Sequence, residues 1–152
     1  MSEIILRPYG IGDPPRIIQW YEQDRSGFES FMGTDVPDAL SCTMAITSLL
    51  NAVTNNIALF CMIDHGDQTI GFTGLTNITP SLDFGQPHIY IEPDSRRHSI
   101  KAAKAAEKHA ASIGVKHFMI SVENSNKRGL ALAKYMGFNE VHRKAFLKEL
   151  RV

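Results

Sequence analysis

"ISVENSNKRGLALAKYMGF", residues 120–138, opens as an apolar strand, breaks on Asn124, Ser125 and Asn126, and runs as a short helix to Gly137-Phe138. Asparagine and serine offer side-chain oxygens to the unpaired amides of a helix start, and glycine commonly ends a helix. A strand that hands over to a helix in this way sets a partly positive helix N-terminus beside a strand end. Such a junction is suited to holding an anion. Upstream, "IYIEPDSRRHSIKAA", residues 89–103, makes the same transition: an apolar strand stops at Pro93 and an alanine-rich helix begins near Ser99. Strand, helix and strand in succession indicate a crossover unit with parallel strands.

Working outward, Ile4–Arg7 reads as a short strand, and Asp13-Pro14 starts a helix bearing Ile17, Ile18, Trp20 and Tyr21, with Asp13 as its cap. Gly27 to Pro37 is polar and glycine-containing, which predicts a mobile loop. From Asp38, the residues Ala39, Cys42, Ile46, Leu49 and Val53 form one helical stripe that Asn55-Asn56 ends. Ile57–Ile63 and Thr69–Ile78 are paired strands joined at Asp64–Asp67, and a loop from Pro80 to Pro87 leads to a strand over His88–Glu92. A helix from Ser99 to Ile113 is expected to bury Ile100, Ala103, Ala106, Ala110 and Ile113, with Gly114 as its stop. Lys116–Val122 is a strand, Lys127–Tyr135 a helix, and Phe138 onward a final β segment or hairpin. The order β-α-α-β-β-β-α-β-α-β predicts an α/β (α+β) fold, a mixed sheet with helices on both faces, in one domain over residues 1–152.

The chain has 152 residues and 43% hydrophobic content, enough for a proper core. Lysine plus arginine and aspartate plus glutamate both number 16, so no global charge draws it to nucleic acid or an anionic membrane. No run approaches the roughly 18 apolar residues of a membrane span, and a cytoplasmic location is expected. Cys42 and Cys61 have no metal-ligand spacing and read as free thiols; no metal is expected. The one basic cluster is local: Arg96, Arg97, His98, Lys101 and Lys104.

Asn126, Gly129 and Gly137-Phe138 together resemble the asparagine-to-Gly-Phe segment of the GNAT N-acetyltransferases. Residues 89–103 are similar to that family's acetyl-CoA motif, hydrophobic-x-Pro-x-x-Arg-x-x-Gly-x-Gly. "LRPYGIGDPPRIIQWYEQD" (6–24) and "IGFTGLTNI" (70–78) look like the RimJ/RimL/spermidine-acetyltransferase branch. The resemblance implies a mostly antiparallel central sheet and acetyl-CoA as cofactor. Its pyrophosphate would lie against Arg96, Arg97, His98, Ser99, Ile100 and Lys101. Its pantetheine arm would run in a split beside Ile89, Tyr90 and Ile91, touching Asn126. The implied activity is acetyl transfer to a primary amine, on a protein N-terminus, a lysine or a small molecule. The alternative is a catalytically silent GNAT-fold binding or assembly protein.

The chain departs from the family pattern in several places. Ser99 and Lys101 replace the two phosphate-loop glycines, Ala133 replaces a tyrosine common among relatives, and Ser121 a glutamate base found in some. Stepping back in twos from Ile91 meets Ile89, Pro87 and Gly85, none of which can take a proton. The candidates left for proton transfer are Ser121, His88 and Glu92, with Glu29, Asp35 and Asp83 on loops expected near the acceptor. Tyr135 is rotated about 200° from the family's tyrosine position and reads as packing. The terminal "FLKELRV" offers a strand that a homodimer would pair across.

Overall fold

The computed structural model describes residues 3–32, 35–54, 59–79, 81–122, 124–142 and 145–150. In chain order its elements are β1 (Ile4–Pro8), α1 (Pro14–Gln23), α2 (Arg25–Met32), α3 (Ala39–Thr54), β2 (Leu59–His65), β3 (Gln68–Thr76) and β4 (Phe84–Ile91). A 3₁₀ helix (Pro93–His98), α4 (Ser99–Ser112), β5 (His117–Ser121), α5 (Lys127–Tyr135), β6 (Asn139–His142) and β7 (Ala145–Glu149) follow. The strands form one seven-stranded sheet in the order β1-β2-β3-β4-β5-β7-β6. Every neighbouring pair is antiparallel except β4 and β5, which are parallel.

The core lies on both faces of the sheet. On one face, Trp20, Phe28, Phe60, Phe72 and Tyr90 join α1, α2 and the strands, with Trp20–Phe72 centroids 5.9 Å apart and Phe72–Tyr90 5.4 Å. On the other, Ile63, Ile70 and Ile91 meet Ala102 of α4, with Ile89 beside them. Alternate residues of β4 therefore serve opposite faces, as the pleat requires. Tyr90 faces α1 and α2; Ile89 and Ile91 face α4.

Several expectations are corrected. The segment expected as a loop from Gly27 winds into α2, because Phe28, Phe31 and Met32 recur at helical spacing and pack on the aromatic core. Asp13 precedes α1 but makes no capping bond; Arg7 and the Gly10 amide take its carboxylate instead. In α4 the buried side chains are Ala102, Ala110 and Ala111, while Ile100 and Ile113 stay 37% and 40% exposed. Small residues let the helix sit close to the sheet, so the isoleucines fall at its rim. Gly114, at φ 102°, ends α4 as expected, with the Val115 amide bonded back to the Ala110 carbonyl at 3.1 Å.

β4 begins at Phe84 and runs through Pro87, which the sequence placed in a loop. β7 lies between β5 and β6, and among the described residues its stretch Ala145–Leu147 is paired on both sides. The expected stop at Asn55-Asn56 and the start of β2 at Ile57 and Ala58 lie outside the described residues. Both cysteines are free, and burial pushes the Cys42 thiol up to about 11. Among the described residues no helix is long and apolar enough to cross a membrane.

Candidate active site

β4 and β5 pair only at Phe84–His117 and Gly85–Phe118, yet β4 runs on to Ile91 and β5 to Ser121. The two strands therefore part after Gly85. On its other side β4 stays paired with β3 from Gln86 to Ile91. The Glu92 amide donates to the Ile70 carbonyl at 2.9 Å, which fixes the alternation: even-numbered backbone groups turn to β3, and those of Ile89 and Ile91 turn to the split. Pro87 falls on that same open edge, where its missing N–H costs no ladder bond. At the head of α5, the exposed Asn126 accepts the Gly129 amide through Oδ1 at 2.8 Å. An open strand edge of this kind can hold an extended, amide-bearing arm by strand-type hydrogen bonds.

Beyond the split, the 3₁₀ helix runs straight into α4. The Ser99 amide is already bonded to the Arg96 carbonyl, so residues 97–101 do not present a full set of open backbone donors. Arg96 is also engaged: Nη2 donates to Asp24 Oδ2 at 2.8 Å and Nε to the Ile91 carbonyl at 3.3 Å. Arg97 and Lys101 are exposed and have no acidic partner among the described residues. His98 stacks on His65 at 4.1 Å, and its ring is held below the usual histidine range by burial and then by the charges of His65, Arg97 and Lys101. Ser99 is half-buried and Ile100 exposed. The residues present fit coenzyme A: the open edge of β4 suits an extended arm, and the exposed Arg97 and Lys101 offer positive charge in place of a glycine cradle.

The proton-transfer candidates separate clearly. Glu92 accepts from Arg16 Nη2 at 2.7 Å, Trp20 Nε1 at 2.9 Å and Ser95 Oγ at 2.9 Å, so it ties α1 to the 3₁₀ helix. Ser121 is exposed at the end of β5. His88 lies on the α1–α2 side of β4, half-buried, with Nε2 2.8 Å from Thr76 Oγ1 and its ring against Phe31. Burial lowers its basicity, and the Phe31 carbonyl partly opposes that shift.

Glu29 belongs to α2 and accepts the Val36 amide at 2.6 Å, whereas Asp35 is exposed. Asp83 pairs with Lys116 at 3.2 Å, just before the paired end of β4 and β5. Ala133 is buried against Val122, leaving α5 without a proton donor there. Tyr135 does not pack as expected: it is 65% exposed, with Lys104 Nζ 5.9 Å from its ring. Tyr90 is a core residue whose hydroxyl donates to Asp24 at 3.0 Å. Asp24 and Thr76 escaped the sequence reading, since each gains its partners only through long-range pairing.

Comparison with known proteins agrees with this geometry. Residues 3–139 match the family model described as "Acetyltransferase (GNAT) domain". RimJ of Mycobacterium smegmatis, solved in complex with CoA-disulfide, superposes with a TM-score of 0.77 at 15% identity, covering 95% of this chain and 79% of that one. A Salmonella typhimurium acetyl transferase that modifies the N-terminal serine of a 50S ribosomal subunit protein gives 0.81 at 12% identity, over 99% and 97% of the two chains. The spermidine N-acetyltransferase of Vibrio cholerae, in complex with CoA and spermine, gives 0.77 at 15% identity, over 97% and 94%. No curated protein matches the chain by sequence. At these identities the structures show a shared fold, and the family match does the rest: the chain belongs to the GNAT acetyltransferase family.

Proposed function

We propose that this chain moves an acetyl group from acetyl-CoA to a primary amine, on a protein N-terminus, a lysine or a small molecule, with the donor's arm along the open edge of β4. The observation that supports this most is the early end of the β4–β5 ladder, at Gly85 and Phe118, in a chain of this family. Ile89 and Ile91 present backbone groups to the arm, Asn126 forms the opposite wall, and Arg97, His98 and Lys101 meet the phosphates. When bound, acetyl-CoA supplies an activated acyl thioester.

The transfer forms a C–N bond, breaks a C–S bond and passes one proton from the amine to the departing sulfur. Holding a neutral amine in line with the acyl carbon is the main requirement of such a reaction. His88 is the residue we assign to proton transfer. Its half-buried ring is kept neutral, and the Thr76 hydroxyl at 2.8 Å gives a two-step path from the acceptor side to Nε2. Glu92 holds α1 against the site without taking part in the chemistry.

A thiol-release assay with a panel of amines tests this reading. His88→Gln should lower kcat by about 100-fold or more, with the KM for acetyl-CoA little changed. An unchanged kcat would remove His88 from the reaction. No thiol release with any amine would reject the transfer itself.

A further inference from the structure

Asp24 is the single residue between α1 and α2. Its amide closes α1 on the Trp20 carbonyl at 2.8 Å, and its carbonyl receives the Phe28 amide of α2 at 3.0 Å. Its carboxylate reaches across the molecule: Oδ2 accepts from Arg96 Nη2 at 2.8 Å and from the Tyr90 hydroxyl at 3.0 Å. The pair is mostly shielded, with the Asp24 side chain 17% exposed and that of Arg96 34%. Gly27 leaves room for it. A Cβ there would lie 2.4 Å from Asp24 Oδ2 and 2.8 Å from Arg96 Nη2.

These contacts join three parts of the site. Arg96 lies in the segment that approaches the phosphates, and its Nε also holds the Ile91 carbonyl on the open edge of β4. Tyr90 is the neighbouring β4 residue and packs on Trp20 and Phe28, each at 5.7 Å. Both of those residues belong to the helices that cover the face where His88 stands. One carboxylate oxygen therefore spans from the donor side of β4 to the acceptor side.

We propose that Asp24 is a positioning residue that couples the cofactor segment, through Arg96, to the α1–α2 corner on the acceptor side. The inference rests on the cofactor assignment made above. The ion pair between Arg96 and Asp24 at 2.8 Å gives a shift of residues 96–101 on binding a route to the α1–α2 corner. Coupling of this kind is reciprocal, so occupancy of the acceptor side also alters affinity for the donor.

Hydrogen exchange by mass spectrometry, with and without acetyl-CoA, reads the coupling directly. In the wild type the cofactor should slow exchange both at residues 93–101 and at residues 25–32. In Asp24→Ala the slowing at 93–101 should remain and that at 25–32 should be lost. Asp24→Asn keeps an oxygen between the two donors and should restore part of it. Gly27→Ala displaces the pair without altering charge and should behave like Asp24→Ala, which keeps the test decisive if one variant folds poorly. In steady-state kinetics, Asp24→Ala should raise the KM of the amine about tenfold when acetyl-CoA is saturating. Equal slowing of 25–32 in the wild type and Asp24→Ala would overturn the coupling while leaving the cofactor assignment intact. A wild type that shows no slowing anywhere and no calorimetric binding would overturn the assignment, and the coupling with it.

Discussion

Glu92 and Asp13 are acids of the quoted stretches that the fold uses as ties. Arg7 clasps Asp13 with Nη1 at 2.9 Å and Nη2 at 2.7 Å, and the Gly10 amide adds a third bond at 2.7 Å. Arg7 is thereby the main reason the Asp13 carboxyl sits below its ordinary range, with burial opposing it. A carboxyl lowered in the folded state contributes stability above its unfolded value of 3.8 and loses it as pH falls through the folded one. Asp13→Ala should cost about 2 kcal/mol at neutral pH, less in acid, measurable by urea unfolding at several pH values. His88 works in the opposite chemical sense with the same direction in pH. Its folded value is lowered, so the unfolded chain binds the proton first, and stability falls as pH drops below the ordinary 6.5. His88→Gln should flatten that part of the stability profile. None of these roles was readable from the sequence, because each partner is set by strand register or by a helix crossing.

α2 shows how tertiary packing overrides a local signal. Gly27 and the polar residues around it argue for a loop, but Phe28 is fully buried among Tyr21, Phe31, Phe72 and Tyr90. Phe28→Ala should therefore destabilise the protein by about 3–5 kcal/mol, which thermal or urea unfolding would register. A loss below about 1 kcal/mol would mean that α2 contributes little to the core. Pro87 gives the complementary case. A proline normally argues against a strand, and here it is tolerated because β5 has already turned away from that edge of β4. α5, by contrast, was legible to its ends. Asn126 caps it through the Gly129 amide, and Asn126→Ala should cost about 1 kcal/mol of stability.

Most of the order of elements could be read because strands and helices carry clear periods and stops along nearly the whole chain. The family, by contrast, was legible only through the resemblance of residues 89–103 and 126–138 to its motifs. The split between β4 and β5 could be expected only through the resemblance, since no local pattern says where a ladder ends. The ion pair of Arg96 was hidden for a related reason. Its motif position suggests a phosphate ligand, while its nearest charge, Asp24, stands 72 positions away in sequence. The positive charge left open at the start of α4 is that of Arg97 and Lys101, and it faces away from the core.

Calorimetric titration with acetyl-CoA, alongside free CoA, tests the account at its centre. The wild type should bind both in the micromolar range, and the double variant Arg97→Ala, Lys101→Ala should bind about tenfold or more weakly with unchanged thermal stability. Equal affinity in the double variant would contradict the placing of the phosphates at the start of α4. No binding by the wild type would contradict the use of the β4–β5 split as a cofactor slot.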